Sequence, residues 1–267
     1  MGLTINYRLQ MDSNLSFSKV RQTLGKIRGE ALDLPFDSVS DLVSVRNFDV
    51  KHQGKTNHGI MEEFGWMGFE AFQTTEFRNR YGDRETGTVL AKHFMGFTVD
   101  PGERCESMDV GMAFFPKTFL HYGKRIKIKH PGWTWGSFCK TQYANSTAEG
   151  IDHFLRCHIS VISLLDKIDK LGVLSSADDE GKFYENRSIP MLIQEIGEWD
   201  QMLAGFGVML KGLGVDEDSM PINSHPNIAG LRESAKERLP LAFLSGMTPG
   251  LRKAINSLNA LVDDKID

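Results

Sequence analysis

The sequence has 267 residues, of which 40% are hydrophobic and 25% are charged, and its formal net charge is −4. This composition is typical of a globular protein with enough apolar residues for a core, and it excludes a disordered or fibrous chain. The acidic balance disfavours nucleic acid as a partner, since proteins that bind nucleic acids usually carry a basic excess.

The N-terminal part of the sequence predicts a strand, a helix and a second strand. Apolar and polar residues alternate over residues 3–11, as in a half-buried strand. The apolar residues of segment 17–31 recur with a helical period, and Ser16 or Ser18 is a suitable N-cap. Residues 39–50 are again typical of a strand. This order predicts a sheet with one face covered by a helix.

The next segment, residues 51–87, is polar and rich in glycine, but it also contains several phenylalanine and tryptophan residues. Aromatic residues at this density are not expected of a simple linker. We interpret the segment as a long, partly ordered excursion, because long loops inside compact domains are often functional or mobile.

Four strands are predicted in the middle of the chain. Residues 88–99, 107–115 and 125–129 show strand-like alternation, and the segment WTWGSFCKTQY (133–143) follows an H-P-G turn. Consecutive strands that are separated by turns are typical of an antiparallel meander.

The second half of the chain changes to a helical period. Residues 148–171 predict one long helix, and a second begins near Ser188 with a proline in its first turn. Two shorter helical patterns follow at residues 228–239 and 248–262.

Strands that come first and helices that come later favour an α+β fold over alternating βαβ units. We therefore predict a mainly antiparallel sheet with two long helices packed on one face. Residues 1–212 are expected to form a single α+β domain, and residues 213–267 a C-terminal helical appendage.

The three cysteines, Cys105, Cys139 and Cys157, do not predict a disulfide framework, because their number is odd and their spacing follows no known pattern. The N-terminus lacks the charged and then apolar pattern of a signal peptide. The apolar runs are too short to cross a bilayer. We therefore expect a cytoplasmic protein with reduced thiols and no membrane contact.

Cysteine and histidine side chains leave two chemical alternatives open. Three thiolates and one imidazole are a permitted set for zinc, but the C-x-x-C spacing is absent. We predict no metal site and keep a zinc-stabilised domain as an alternative. A cysteine nucleophile is the other alternative, with Cys105 or Cys139 activated by His121, His153 or His158.

Several common catalytic motifs are absent from the sequence. It contains no P-loop, no G-x-G-x-x-G after a strand, no G-x-S-x-G and no H-E-x-x-H. P-loop nucleotide hydrolysis, Rossmann redox chemistry and α/β-hydrolase chemistry are therefore disfavoured. The basic segment HYGKRIKIKH (121–130) would suit a nucleotide or single-stranded nucleic acid, but the solvent-facing side of an amphipathic strand explains it better. The acidic residues 178–180 are best explained by their position before a helix.

Four segments carry a resemblance to a known group of sequences: PGERCESMDVGMAFFP (101–116), WTWGSFCKTQYA (133–144), FLRCHISVISLLD (154–166) and DEGKFYENR (179–187). Together they resemble a family of uncharacterised bacterial proteins, with W-x-W-x-S-F-C-K-T-Q-Y as the most specific pattern. The resemblance implies a bacterial or phage-borne origin. It implies no catalytic residue, because no activity is known for that family.

The segment 133–143 is also the candidate site. One side of the predicted strand combines two tryptophans with serine, cysteine, threonine and tyrosine, which is more polar than a core face needs. Apolar walls with a few converging polar groups are typical of a ligand pocket. The predicted catalytic residues are Glu185 and His153. The predicted ligand-binding residues are Trp133, Trp135, Cys139, Lys140, Tyr143, Arg156, Tyr184 and Arg187.

The sequence thus predicts a protein that binds, and in one version of the hypothesis converts, a small polar or anionic ligand such as a nucleotide or phosphorylated metabolite. The alternative is a non-catalytic interaction or regulatory module that contacts a protein partner through residues 51–87. The sequence does not define the cofactors, the oligomeric state or whether the protein is an enzyme.

Overall fold

The computed structural model describes residues 3–78, 81–147, 149–212 and 227–233. The chain divides into two compact units, residues 1–193 and residues 194–267. All the described strands lie in the first unit. Most of the predicted appendage at residues 213–267 lies outside the described residues, and so does the helix predicted at 248–262.

The described chain contains eleven strands. Their bounds are β1 Thr4–Met11, β2 Ser38–Val39, β3 Val43–Arg46, β4 Phe72–Arg78, β5 Arg84–Leu90, β6 His93–Asp100, β7 Met108–Phe115, β8 Thr118–His121, β9 Lys124–Lys127, β10 Gly132–Lys140 and β11 Leu174–Asp179.

Six α-helices and two 3-10 helices are also described. The α-helices are α1 Phe17–Leu32, α2 Phe48–Lys51, α3 Asn57–Phe64, α4 Ile151–Lys170, α5 Phe183–Asn186 and α6 Ile189–Gly212, and the 3-10 helices are Gly65–Ala71 and Gln142–Ser146. Residues 228–233 are helical as well. None of the described helices combines the length and the apolar character that crossing a bilayer requires.

Seven strands form one antiparallel sheet in the order β11-β1-β10-β7-β6-β2, with β3 also paired to β6. The hairpins β4–β5 and β8–β9 form two separate two-stranded sheets. The predicted α+β class with a mainly antiparallel sheet is confirmed. Strand β7 is its most buried strand, since every residue from Met108 to Ala113 is buried.

Helices α1 and α4 pack beside each other, and an ion pair joins Glu30 of α1 to Lys167 of α4. Helix α1 begins after Ser16, whose side-chain oxygen accepts a hydrogen bond from the backbone N–H of Lys19 at 3.3 Å, so Ser16 is the N-cap. The second long helix that the sequence predicted, α6, begins in the first unit and ends in the second.

Several predicted strands have different bounds. Residues 39–50 end as helix α2, because Asn47 takes a left-handed conformation with φ of 53° and interrupts the strand. Segment 88–99 contains parts of two strands, β5 and β6. Segment 125–129 overlaps β9, which pairs with β8 outside the main sheet, so the predicted four-stranded meander is wrong at this point.

The segment 51–87 contains more regular structure than we predicted. It includes helix α3, the 3-10 helix Gly65–Ala71 and most of the β4–β5 hairpin. Strand β11 was not predicted at all, because its sequence LSSADD is mostly polar and pairs as an edge strand with β1 alone. Pairing with a neighbour, and not an apolar pattern, makes this segment a strand.

Candidate functional site

The main sheet opens between β10 and β7. Strand β10 pairs with β7 only over residues 132–134, whereas it pairs with β1 along residues 133–140. The end of β10 contacts the chain again just before β7 begins, where the backbone N–H of Glu106 donates to the carbonyl of Lys140 at 2.8 Å. Between these two points the facing edges of β10 and β7 lack the usual sheet hydrogen bonds.

Two large side chains bridge part of this opening. The Tyr7 hydroxyl donates to the backbone carbonyl of Asp109 at 2.7 Å, and the Trp135 indole N–H donates to the same carbonyl at 2.8 Å. Trp135 can lie there because position 111 is glycine. A Cβ atom on Gly111 would come within 2.7 Å of the Trp135 ring and within 2.5 Å of the carbonyl of Met95.

The carboxylate of Glu70 reaches the strand edge that the opening exposes. Its Oε2 accepts the backbone N–H of Gly136 at 3.1 Å, so it replaces the strand partner that this N–H lacks. Glu70 belongs to the 3-10 helix Gly65–Ala71, which packs on the sheet through the buried residues Met67 and Ala71. The 3-10 helix therefore holds a carboxylate at the opening.

A cleft of about 570 Å³ lies at this opening, and we call it the β7–β10 cleft. Its volume is within the usual range for small-molecule sites. It is lined by Trp66, Phe69, Glu70, Cys105, Glu106, Ser107, Asp109, Ser137 and Phe138. A second cleft of about 380 Å³ shares Glu70, Ser137 and Phe138 with it and extends to Arg8 and Asp178.

Two of the three carboxyl groups that line the cleft, those of Glu70 and Asp109, have raised pKa values. Burial is the largest cause for Glu70 and raises its pKa to about 7, although the hydrogen bond from Gly136 and the charge of Arg8 act in the opposite direction. Burial also raises the pKa of Asp109 to about 6, against a hydrogen bond of 2.7 Å from the Thr98 hydroxyl. Glu70 is therefore partly protonated near neutral pH.

Each of these two carboxyl groups keeps an oxygen that accepts no hydrogen bond from the described residues. Within residues 3–78 and 81–147, the hydrogen bonds to these side chains reach only Oε2 of Glu70 and Oδ1 of Asp109. Oε1 of Glu70 and Oδ2 of Asp109 are therefore able to accept hydrogen bonds from a bound molecule. A carboxyl group with a pKa near the working pH can also exchange a proton with that molecule.

The tryptophans predicted to bind ligand are core residues. Trp133 and Trp135 are each 1% exposed, and the Trp133 indole donates to the carbonyl of Leu15 at 3.0 Å. Cys139 is buried, and its thiol donates to the carbonyl of Glu106 at 3.1 Å. Burial is the main cause of the raised pKa of this thiol, which disfavours the thiolate. From the predicted face of β10, Ser137 lines the cleft.

Two of the predicted residues, His153 and Arg156, meet each other. His153 Nε2 lies 3.0 Å from the carbonyl of Glu103, and its Nδ1 lies 3.1 Å from a guanidinium nitrogen of Arg156. Cys157 lies 3.7 Å from His153 Nε2. The Cys157 thiol donates to the carbonyl of Pro101 at 3.1 Å, and the neighbouring thiol of Cys105 is the main cause that lowers the pKa of Cys157.

The remaining predicted site residues are Lys140, Tyr143, Tyr184, Glu185 and Arg187, and three of them contact neighbouring side chains. Arg187 binds Asp166 through two hydrogen bonds of 2.7 and 2.8 Å, and its guanidinium lies 5.0 Å from the centre of the Tyr184 ring. Lys140 pairs with Glu106 at 3.1 Å. Glu185 is exposed, and Tyr143 is partly buried. None of these side chains lines the β7–β10 cleft.

A buried Asp–His–Thr chain lies elsewhere in the first unit. The Nε2 of His158 is 3.2 Å from Asp179, and its Nδ1 is 2.8 Å from the Thr141 hydroxyl. All three residues are almost completely inaccessible. A nucleophile needs access to its substrate, so we interpret this chain as a structural network.

The described residues contain no group of three or more His, Cys, Asp or Glu side chains that could hold a metal ion. In particular, Cys105, Cys139 and Cys157 do not form such a group with a histidine. The arrangement of the described side chains therefore gives no support to the zinc-stabilised alternative.

The sequence analysis missed Glu70, Asp109, Trp66 and Phe69. The sequence contained one signal for Asp109, because it is a charged residue inside the otherwise apolar strand SMDVGMAFF. The segment GWMGFEA, which holds the other three residues, was noted only for its aromatic content. Its position over the opening depends on the packing of the 3-10 helix, which no local pattern reveals.

Comparisons with known proteins add no functional assignment: the chain matches no protein-family model, no curated protein and no solved structure. The resemblance of residues 133–144 to uncharacterised bacterial proteins therefore stays a prediction.

Proposed function

We propose that the protein binds a small polar molecule in the β7–β10 cleft and exchanges a proton with it through Glu70. The observation that carries this proposal is the position of Glu70, a partly buried carboxyl group with a pKa of about 7 at an opening in the sheet. Perturbed carboxyl groups in a cleft are typical of functional sites. Whether proton exchange leads to catalysis depends on the bound molecule.

The kind of ligand differs from the one that the sequence suggested. A phosphorylated ligand needs unpaired cationic groups, but Lys140 already pairs with Glu106, and Arg187 with Asp166. The cleft instead presents the carboxyl groups of Glu70 and Asp109. Repulsion between carboxylates and phosphate disfavours an anionic ligand, so the proposal retains the polar ligand and not the phosphorylated one.

Native mass spectrometry of the purified protein tests this proposal. We expect the wild-type protein to retain a small molecule, and Glu70→Gln to lose it, because a neutral amide cannot accept the proton. Glu62→Gln is the matched control, since Glu62 is an exposed glutamate outside the cleft. If Glu70→Gln and the wild-type protein retain the same molecule equally, Glu70 is not part of its site.

A non-catalytic interaction module is the second candidate, and one observation favours it. Trp66 and Phe69, both from the segment 51–87, stack on each other while remaining 67% and 44% exposed. A protein partner that covers these rings would bind Glu70→Gln normally and lose affinity for Trp66→Ala. Cross-linking followed by mass spectrometry would identify the partner peptide that contacts them.

The setting of the proposed function is the cytoplasm. The three cysteines are free thiols in the structure. Thiols of this kind persist in a reducing compartment. This supports the proposed location.

A further inference from the structure

The β7–β10 cleft combines aromatic rings at its rim with carboxyl groups at its base, and this combination identifies a class of ligand. We propose that the ligand is an organic cation whose ammonium group binds between the rings of Trp66, Phe69 and Phe138 and the carboxyl groups of Glu70 and Asp109. This inference rests on the proposed function, because it names the ligand of the same cleft.

The aromatic rim is the first support. Trp66, Phe69 and Phe138 all line the cleft, and they are 67%, 44% and 43% exposed. Several exposed aromatic residues at one cleft indicate a binding surface, because covering them with a bound molecule removes apolar area from water. The negative face of an aromatic ring attracts a cation, and quaternary ammonium groups are commonly bound by several such rings.

The acidic base of the cleft is the second support. Glu70 and Asp109 each offer one carboxylate oxygen without a donor from the described residues, and both residues line the same cleft. A bound ammonium group would offset the desolvation that opposes their ionisation. Arg8, whose positive charge lowers the pKa of Glu70, lines the neighbouring cleft.

Lys140 shows how an ammonium group fits the edge of this site. Its Nζ lies 5.3 Å from the centre of the Phe138 ring and 3.1 Å from Glu106. An aromatic face and a carboxylate thus already hold one ammonium group of the chain itself. Since Lys140 neutralises Glu106, the acidic groups left for an external cation are Glu70 and Asp109.

Binding of a cation has a consequence for protons. Glu70 is partly protonated near neutral pH, and a cation beside it favours the ionised form. Each binding event near pH 7 should therefore release a fraction of a proton. A neutral ligand of the same shape would not cause this release.

The test uses choline and its neutral isostere 3,3-dimethylbutan-1-ol, which has carbon in place of the charged nitrogen. Binding is measured by isothermal titration calorimetry at pH 7 in two buffers with different ionisation enthalpies. We expect choline to bind at least about tenfold more tightly than the isostere, because a desolvated cation–π contact contributes roughly that difference. The two buffers reveal the expected proton release.

Three variants locate the site. Trp66→Ala and Phe138→Leu should each weaken choline binding about tenfold, and Glu70→Gln should weaken it and remove the part of the proton release that Glu70 contributes. Tyr122→Ala is the aromatic control, since Tyr122 is 93% exposed and outside the cleft. Phe138→Leu removes the aromatic ring but keeps an apolar side chain, so the variant is expected to fold. Circular dichroism checks that it does.

The outcomes separate the two proposals. Equal binding of choline and its isostere, with loss in Glu70→Gln, would overturn the cation assignment and leave the small-molecule cleft standing. Absence of choline binding would also overturn the cation assignment, while a retained molecule in native mass spectrometry would still support the proposed function. Choline binding that survives both aromatic substitutions would place the cation elsewhere and overturn the inference.

Discussion

Two buried carboxylate sites in the first unit show opposite electrostatic behaviour. Asp179 accepts hydrogen bonds from His158 and from the backbone N–H groups of Gly181 and Tyr184. Burial alone raises the pKa of Asp179, but these bonds outweigh it and the pKa is lowered. In the β7–β10 cleft, burial outweighs the single hydrogen bond to Glu70, and the pKa rises to about 7.

The difference shows that the number of hydrogen-bond donors, and not burial alone, decides what a buried carboxyl group does. A carboxylate with three donors is stable as an ion and fixes the surrounding chain. A carboxyl group with one donor keeps an unused acceptor and a proton that it can exchange. The first arrangement is suited to structure, and the second to binding.

The largest expected effect comes from removing the satisfied carboxylate. Asp179→Ala would leave His158 and two backbone N–H groups buried without their acceptor. Such losses cost about 3 kcal/mol or more of folding free energy. Urea unfolding, followed by circular dichroism, measures the change. Asp178→Ala is the control, because Asp178 is the exposed neighbour on β11. Equal effects of the two substitutions would show that the Asp179 network is not structural.

An intermediate effect is expected where the sheet opens. Gly111→Ala places a methyl group within 2.7 Å of the Trp135 ring and 2.5 Å of a backbone carbonyl. Overpacking of this kind costs about 2 kcal/mol, and it should displace Trp135 from its bond to Asp109. Gly25→Ala in α1 is the control, since nothing lies within 4 Å of the added methyl group. Trp fluorescence and urea unfolding report both effects, and unchanged stability of Gly111→Ala would contradict the close packing.

The smallest expected effect is a pH dependence that Glu70 introduces. The folded-state pKa of Glu70 is about 7, above the ordinary value of 4.5, so the folded protein holds this proton more tightly than the unfolded chain. Wild-type stability should therefore fall as the pH rises from 4.5 through 7, by on the order of 1–2 kcal/mol after solvent screening. Glu70→Gln should not lose stability in this way. Its stability relative to the wild-type protein should therefore be higher at pH 8 than at pH 5.

Unfolding curves at pH 5 and pH 8 measure this gain. Asp109 has its own raised pKa, but it is present in both proteins, so only its charge interaction with Glu70 remains in the difference. Glu62→Gln should show no such gain, because Glu62 is exposed. A constant difference between the wild-type protein and Glu70→Gln at both pH values would contradict a raised pKa at Glu70.

Much of the fold followed from local patterns. The alternation in residues 3–11 predicted β1, and the apolar positions of segment 17–31 predicted α1. Of the two N-caps that the sequence offered, Ser16 and Ser18, the structure uses Ser16. The helical stripe of segment 148–171 predicted α4. These elements each have one buried side, and a buried side leaves a period in the sequence.

The site was predicted less well than the fold. The segment WTWGSFCKTQY does lie beside the cleft, and Ser137 and Phe138 line it. Its tryptophans, however, lie in the core. A buried indole has a single N–H to satisfy, and one nearby backbone carbonyl is enough to accept it. Glu70 comes from a 3-10 helix that is far from β10 in sequence, and nothing in its neighbours marks it as part of a site.

The sequence by itself therefore determined the α+β class, the antiparallel sheet and the main helices, because burial on one side imposes a period that can be read along the chain. Only the tertiary structure decided that β10 separates from β7, that Trp135 fits over Gly111 and that Glu70 meets the exposed strand edge. Those features depend on contacts between residues distant in sequence, and the pKa of each carboxyl group depends on the donors that these contacts supply.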